Sequence, residues 1–268
     1  MLIDDYRAGR HVETWSRLRE LGDNVRKSKW LDDAWEVARE TMRRARQNIE
    51  ILVPRLREAG YEFEQPDAAH VPATSSDATM IAEIEKAVGP MPLSFRAFYE
   101  IVGSVNFCQS SDQLVQYSQK RRKTATEIEI LGEQDPLYVL PLSLLFEDLM
   151  AARAHRRKIG RYARFGWREG GENRWYCQFA PDEFHKANYS GGENYNLFIP
   201  DAAADFRIHD LYLRVSDDQG EDREWFVDHL RSAFLGGGFR GKCDLDDFIK
   251  RPPDTPLIRR LREGLLEL

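Results

Sequence analysis

The run Gly236-Gly237-Gly238-Phe239-Arg240-Gly241-Lys242 has the glycine and lysine spacing of a phosphate-binding loop, whose backbone amides cradle phosphates and whose lysine neutralises them. The next position argues against that chemistry. Cys243 stands where a Ser or Thr would hold magnesium, a helical pattern rather than a strand precedes the run, and Asp244, Asp246 and Asp247 follow where an anion would sit. A helix C-cap and tight turn is the favoured reading. Cys177 and His185 are the nearest metal-ligand types, but no Cys-x-x-Cys or His-x-x-x-His pair accompanies them, and His209 and His229 stand alone. Each histidine is expected at the surface or in a hydrogen bond. Ser190-Gly191-Gly192 near His185 supplies a nucleophile and a base without a Gly-x-Ser-x-Gly elbow. Asp217-Asp218 and Glu221-Asp222 lie in a turn with Gly220 before a helical run, where acids stabilise a helix N-terminus. No catalytic residue, metal site or cofactor is therefore assigned. A hydrolase using the loop at 236–242, or His185 with Ser190, is the enzymatic alternative.

Binding chemistry has better material. Trp167, Arg168 and Trp175 flank the polar glycine turn at 168–173, where exposed aromatics would anchor a partner; as strand residues they serve a core equally well. Three basic clusters (Arg39, Arg43, Arg44 and Arg46; residues 120–123; residues 153–158) would bind phosphates if they converged. They are separate and interleaved with acids, so a solvated, ion-paired face is expected and nucleic acid is disfavoured. Net charge is -6, with 31% charged and 42% hydrophobic residues, which describes a folded, mildly acidic chain. The opening Met1-Leu2-Ile3-Asp4-Asp5-Tyr6 has early acids and no apolar run, and no stretch approaches the length of a membrane span. Cys108, Cys177 and Cys243 are odd in number and far apart, which fits free thiols in a cytoplasmic location.

These groups must be positioned by recognisable elements. Leu31, Trp35, Ala38, Met42, Ala45, Ile49, Leu52 and Leu56 recur at alternating spacings of four and three, a heptad-like seam on one long helix that Pro54 should kink near its end and Gly60 should stop. A preceding helix with Val12, Trp15, Leu18, Leu21 and Val25 would cover that seam as an antiparallel hairpin. Alternatively the seam, through Leu31, Trp35, Met42 and Ile49, joins two chains in a homodimer. Residues 65–76 lack periodicity and read as a linker between a helical extension at 1–64 and a domain at 77–268. Within the latter, Ser76 or Asp77 should cap a helix ending at Gly89, and Ser94 should cap a second one behind Pro90 and Pro92. Further along, 138–140, 159–165, 175–179, 196–199 and 211–215 read as strands, and 142–157, 222–235 and a run opened by Thr255-Pro256 as helices. Strands mixed irregularly with helices indicate an α+β fold.

Ile84-Glu85 with Gly89, the Met91-Pro92 pair and Phe95-Arg96-Ala97-Phe98-Tyr99 resemble the SUKH superfamily, as do Trp225-Phe226 and the closing Gly237-Gly238-Phe239-Arg240-Gly241. The likeness spans residues 77–241 and departs from the pattern at Gly103-Ser104-Val105-Asn106, where an Asn-Gly-Gly turn is usual. The resemblance implies a mixed, mostly antiparallel sheet surrounded by helices and a binding scaffold without a catalytic set. It also implies a protein partner; immunity proteins that neutralise toxins, and cell-wall-assembly regulators, belong to that superfamily. A structural adaptor dimerising through the N-terminal seam is the third reading.

Overall fold

The computed structural model describes residues 1–110, 126–132, 134–159, 175–186, 194–208, 224–241 and 254–268. Its fold is α+β. Helices α1 (Leu2–Arg7) and α2 (His11–Glu20) precede a 3-10 turn (Gly22–Arg26) and the long helix α3 (Ser28–Glu58). Six residues are too few for α1 to persist alone, because helix nucleation is unfavourable. Asp33 of α3 adds to its capping, the carboxylate accepting from the amides of Leu2 (2.5 Å) and Ile3 (3.0 Å). The indole of Trp15 on α2 donates to Thr41 Oγ1 of α3 at 3.1 Å.

The heptad seam is thus covered from within the chain. Met42 and Ile49 are fully buried, and Leu31 and Trp35 pack half-buried against the same core. Met42 and Ile49, expected in a dimer seam with Leu31 and Trp35, are buried within the chain itself, while Leu31 and Trp35 keep part of their surface exposed. Val12, expected on the apolar face of α2, is exposed, whereas Trp15 and Leu18 of α2 and Val25 of the 3-10 turn are buried. Helix α3 continues through Pro54 to Glu58 and closes at Gly60, whose φ is +86°. The arginines on its outer face pair with acids: Arg39 with Glu36, Arg43 and Arg44 with Glu40, and Arg46 with Glu50. That is the solvated, ion-paired face expected of the first basic cluster; residues 120–123 lie outside the described residues.

Segment 65–76 is more ordered than a linker. It holds a 3-10 turn (Pro66–Ala68) and strand β1 (His70–Val71), and α4 (Ser75–Val88) already starts within it. Thr74, not Ser76 or Asp77, is the N-cap. Asp77 accepts from the Thr74 amide (2.6 Å) and hydroxyl (2.9 Å), which moves the start two residues earlier. Helix α5 (Leu93–Ile101) follows, with Pro92 at its N-cap. Ser94 does not cap it. The Leu93 and Ser94 amides donate to the Ala203 and Ala204 carbonyls, and the Ser94 hydroxyl donates to Asp205 at 2.9 Å.

Beyond α5 come β2 (Ser104–Asn106), α6 (Glu127–Gly132), β3 (Asp135–Pro136), β4 (Tyr138–Val139) and α7 (Leu142–Ile159). Then follow β5 (Trp175–Pro181), α8 (Glu183–Lys186), β6 (Asn194–Ile199), α9 (Phe226–Leu235), β7 (Phe239–Arg240) and α10 (Pro256–Arg262). The strand expected at 159–165 lies outside the described residues except for Ile159, which ends α7, and that at 211–215 lies wholly outside them. Among the described strands every pairing is antiparallel, but they form three small sheets, β1-β2-β4, β3-β7 and β5-β6, rather than one. Single hydrogen bonds stitch these together: Leu137 N to the Gly238 carbonyl, Phe107 N to the Leu137 carbonyl, and Leu140 N to the Phe179 carbonyl.

One cluster of buried apolar side chains runs from Leu2 to Leu268, so residues 1–64 share their core with the later elements. Phe95 sits at an aromatic centre, its ring 4.9–5.8 Å from those of Tyr99, Phe179, Phe206 and Phe226. Arg19 of α2 reaches across to Asp205 at 2.8 Å, and Arg26 donates to the Met91 and Ala202 carbonyls. Among the described residues no helix is long and apolar enough to cross a membrane.

Candidate functional site

Helix α7 turns Leu145, Asp148, Leu149 and Ala152 toward β5, the i, i+3, i+4, i+7 spacing of one helical face. Together with Trp175 and Gln178 of β5, Asn194 and Asn196 of β6 and His185 of α8, this face lines a recess of ≈ 520 Å³. Antiparallel pairing sets two of the amides side by side, because Gln178 is the register partner of Asn196. Trp175 is half-buried and pairs with Ile199 at the far end of the hairpin. Trp167 and Arg168, singled out with it in the sequence, lie outside the described residues.

Cys177 and His185 both line this recess. The thiol donates weakly to the Trp175 carbonyl at 3.6 Å, and burial pushes its pKa up to about 12, so it stays protonated at neutral pH. Among the described residues no group of three His, Cys, Asp or Glu side chains is placed to hold a metal ion. His185 is held by Asp182: one carboxylate oxygen lies 2.8 Å from Nδ1 and also accepts the His185 amide at 2.9 Å. This contact fixes the ring orientation through Nδ1. Ser190, its suggested nucleophilic partner, lies outside the described residues, as do Lys242 and Cys243.

The glycine loop is occupied by its own helix end. The amides of Gly236, Gly237 and Gly238 donate to the carbonyls of Ser232, Phe234 and Ala233, so none of the three faces a cradle. Gly237 and Gly238 take positive φ (+69° and +102°). A Cβ on either would come within 2.8 Å of Leu261 or Phe107 side-chain atoms. Turn geometry and close packing account for these glycines, as the C-cap reading expected.

Behind the recess lies a buried ionic cluster that no sequence motif announced. The ammonium of Lys186, next to His185 on α8, is fully buried and lies 2.8 Å from Asp135 of β3. The Tyr195 hydroxyl donates to the other Asp135 oxygen at 3.0 Å, and the Arg240 guanidinium, cross-strand on β7, lies 3.9 Å away. Arg240 continues to Glu224 (2.9 Å), which also meets His229 Nδ1 (3.1 Å) and the Ser232 hydroxyl (3.3 Å). His229 is therefore a buried, hydrogen-bonded histidine rather than a surface one. Burial pushes both carboxyls up, but Lys186 and Arg240 hold Asp135 below its usual range, and the His229 hydrogen bond, together with Arg240, does the same for Glu224. For His229, burial dominates and lowers its pKa beneath the ordinary 6.5.

That cluster anchors α8 on one side while His185 and the recess face the other. It also gives an acid limit to stability. A histidine kept neutral by burial contributes stability in full above its unfolded pKa, and that contribution is lost as pH falls through 6.5. His11 and His70 are lowered in the same direction, again chiefly by burial. The urea midpoint is expected to fall between about pH 7.5 and about pH 5.5, and His229→Gln should flatten that slope. A midpoint that stays constant over this range would show that His229 protonates without consequence for the fold.

Compared with models of known protein families, with curated proteins and with solved structures, the chain matches none.

Proposed function

We propose that the protein is a non-enzymatic protein-binding module whose recess beside Trp175 receives an arginine side chain of its partner. The observation that carries this reading is the lining of the recess, which is shared by a half-buried indole, the Asp148 carboxylate and the amides of Gln178, Asn194 and Asn196 around a hollow of ≈ 520 Å³. A guanidinium stacks on an aromatic face and donates through a planar fork to carboxylate and amide oxygens, which are the two kinds of group present. The net charge of -6 favours encounter with a basic partner. The resemblance to SUKH proteins favours the same class of function, and an immunity protein that neutralises a basic toxin domain is the form we favour.

The test is titration of purified protein with basic nuclease toxin domains, followed calorimetrically. Trp175→Ala and Asp148→Ala are each expected to weaken binding by about tenfold or more. Asp148 is exposed, so its replacement leaves the unfolding midpoint where it was. Tight binding unaffected by both substitutions would move the site elsewhere. The Asp182–His185 pair favours one rival, a hydrolase using His185 as general base. Ester or phosphoester turnover abolished by His185→Ala would replace the binding reading.

A further inference from the structure

The segment after α10, residues 263–268, forms no helix or strand and is held to the body by side chains of other helices. Asn48 of α3 donates to the Leu266 carbonyl (2.8 Å) and accepts the Leu266 amide (2.7 Å), while Arg55 of α3 donates to the Glu263 carbonyl (2.6 Å) and Arg231 of α9 to the Leu268 carbonyl (2.8 Å). Arg44 of α3 completes the row, its Nη1 donating to the Glu267 carbonyl at 3.1 Å. Four side chains thus grip six residues of main chain.

The second N–H of Arg44 Nη1 is directed elsewhere: the nitrogen lies 2.7 Å from Nε2 of His11, the first residue of α2. A guanidinium has no acceptor and keeps its charge at any pH a protein meets, so Nε2 must be the acceptor and must be bare. The proton of the neutral ring therefore sits on Nδ1, which faces a Glu267 carboxylate oxygen at 3.7 Å. One arginine links the protonation state of His11 to the seat of residue 267.

This arrangement has no room for an imidazolium. With both ring nitrogens protonated, two positively charged N–H groups would oppose each other across 2.7 Å. Among the groups that face the ring, Arg44 and Arg231 of α9 oppose a second proton, whereas Glu13 of α2 and Glu267 favour one; Tyr6 of α1 lies against its face at 4.6 Å, and Glu40 of α3 engages Arg44 through Nε at 3.1 Å. The Glu267 side chain is 88% exposed, so solvent screens its attraction. Burial and then Arg44 dominate, and they hold the His11 pKa below the ordinary 6.5.

We infer that His11 and Arg44 form an acid-released latch: a second proton on His11 drives Arg44 away and, with it, the Glu267 carbonyl, so that residues 266–268 leave their seat on α3. The sign follows from linkage. A histidine that binds its proton less readily when latched than when released draws the equilibrium toward release as pH falls through 6.5. Leu266 and Leu268 leave with the segment and uncover Phe234 beneath the groove of ≈ 930 Å³ that they share with His11. The latch is separate from the Trp175 recess and does not depend on the reading given to it.

The experiment is amide hydrogen exchange of the intact protein between about pH 7.5 and about pH 5.5, expressed at each pH as protection relative to an unstructured chain. The Leu266 amide is expected to lose about fivefold or more in protection across this range, because a released histidine of ordinary pKa is mostly protonated at its lower end. His11→Gln, whose side-chain oxygen can accept from Arg44 without titrating, should abolish the loss, and His229→Gln should leave it in place. Amides in the middle of α3 stay protected throughout, and nitrogen shifts of the His11 ring at pH 7.5 report a protonated Nδ1 and a bare Nε2. Constant protection of Leu266 in the wild type, or a loss that persists in His11→Gln, overturns the inference. So does a parallel loss along α3, which would mean global unfolding, and so does a ring that titrates while Leu266 stays protected, which would mean that His11 leaves Arg44 by itself. If His11→Gln does not fold, the wild type still decides: the ring shifts and the Leu266 protection must share one midpoint, and separate midpoints overturn the latch.

Discussion

Replacing Asp135 by Ala is expected to lower the unfolding free energy by about 3–5 kcal/mol, a large fraction of what a chain of this kind has. The substitution leaves the Lys186 ammonium, fully buried at 2.8 Å from the lost carboxylate, without its counter-charge, and removes the acceptor of the Tyr195 hydroxyl. Arg240, 3.9 Å from the same carboxylate, keeps only Glu224 among the described acids. Removing one partner of such a pair is far worse than removing both, because an uncompensated buried charge cannot regain its hydration. The double variant Asp135→Leu with Lys186→Met should therefore recover part of the loss. Urea unfolding followed by tryptophan fluorescence measures both. A single-variant loss below about 1 kcal/mol would mean that the Lys186 ammonium reaches water once the carboxylate is gone. The functional consequence follows from sequence adjacency. Lys186 fixes α8 and His185 projects from it, so the destabilised variant should also bind less at the recess.

The contrast between this cluster and the recess shows which parts of the molecule are legible in one sequence. Periodicity is local, so the α3 seam, the α9 helix with its glycine stop and the Thr255-Pro256 start can be read directly; Thr255 Oγ1 does accept the Ile258 amide. Ser94 has the type and position of a cap, but its hydroxyl serves Asp205, more than a hundred residues later, and backbone carbonyls from the same distant segment satisfy the helix start. Helix α1 is too short to show a period, and Asp33 of α3 adds to the capping that its own Asp4 provides. Trp175 and His185 are visible as residue types, yet their sharing one recess depends on β5-β6 pairing and the packing of α7. Asp135, Lys186, Glu224 and Arg240 carry no local signal at all. A charged residue that will be buried looks like any other until its partner is known.

Gly103→Ala provides the other large effect, and it separates backbone strain from steric exclusion. Gly103 takes a φ of +96°, a region that disfavours any residue with a Cβ. Gly60, at +86°, shares that strain but has no atom within 4 Å of an added Cβ. At Gly103 the added carbon would lie 2.2 Å from the Val71 carbonyl oxygen, 2.6 Å from the Ala73 nitrogen and 2.7 Å from the Pro72 carbonyl carbon. All three belong to backbone, which cannot swing aside as the end of a side chain does. Relief requires moving residues 71–73, which breaks the register of Val71 with Ser104 and disturbs Thr74 at the start of α4. Gly60→Ala is expected to cost about 1–2 kcal/mol and Gly103→Ala on the order of 3 kcal/mol or more, read as urea midpoints at a common slope. Equal losses at the two positions would show that the chain between β1 and α4 yields freely. In that case Gly103 would serve only to end α5, the role its position in the sequence suggests, and the close approach of β1 to β2 would not constrain it.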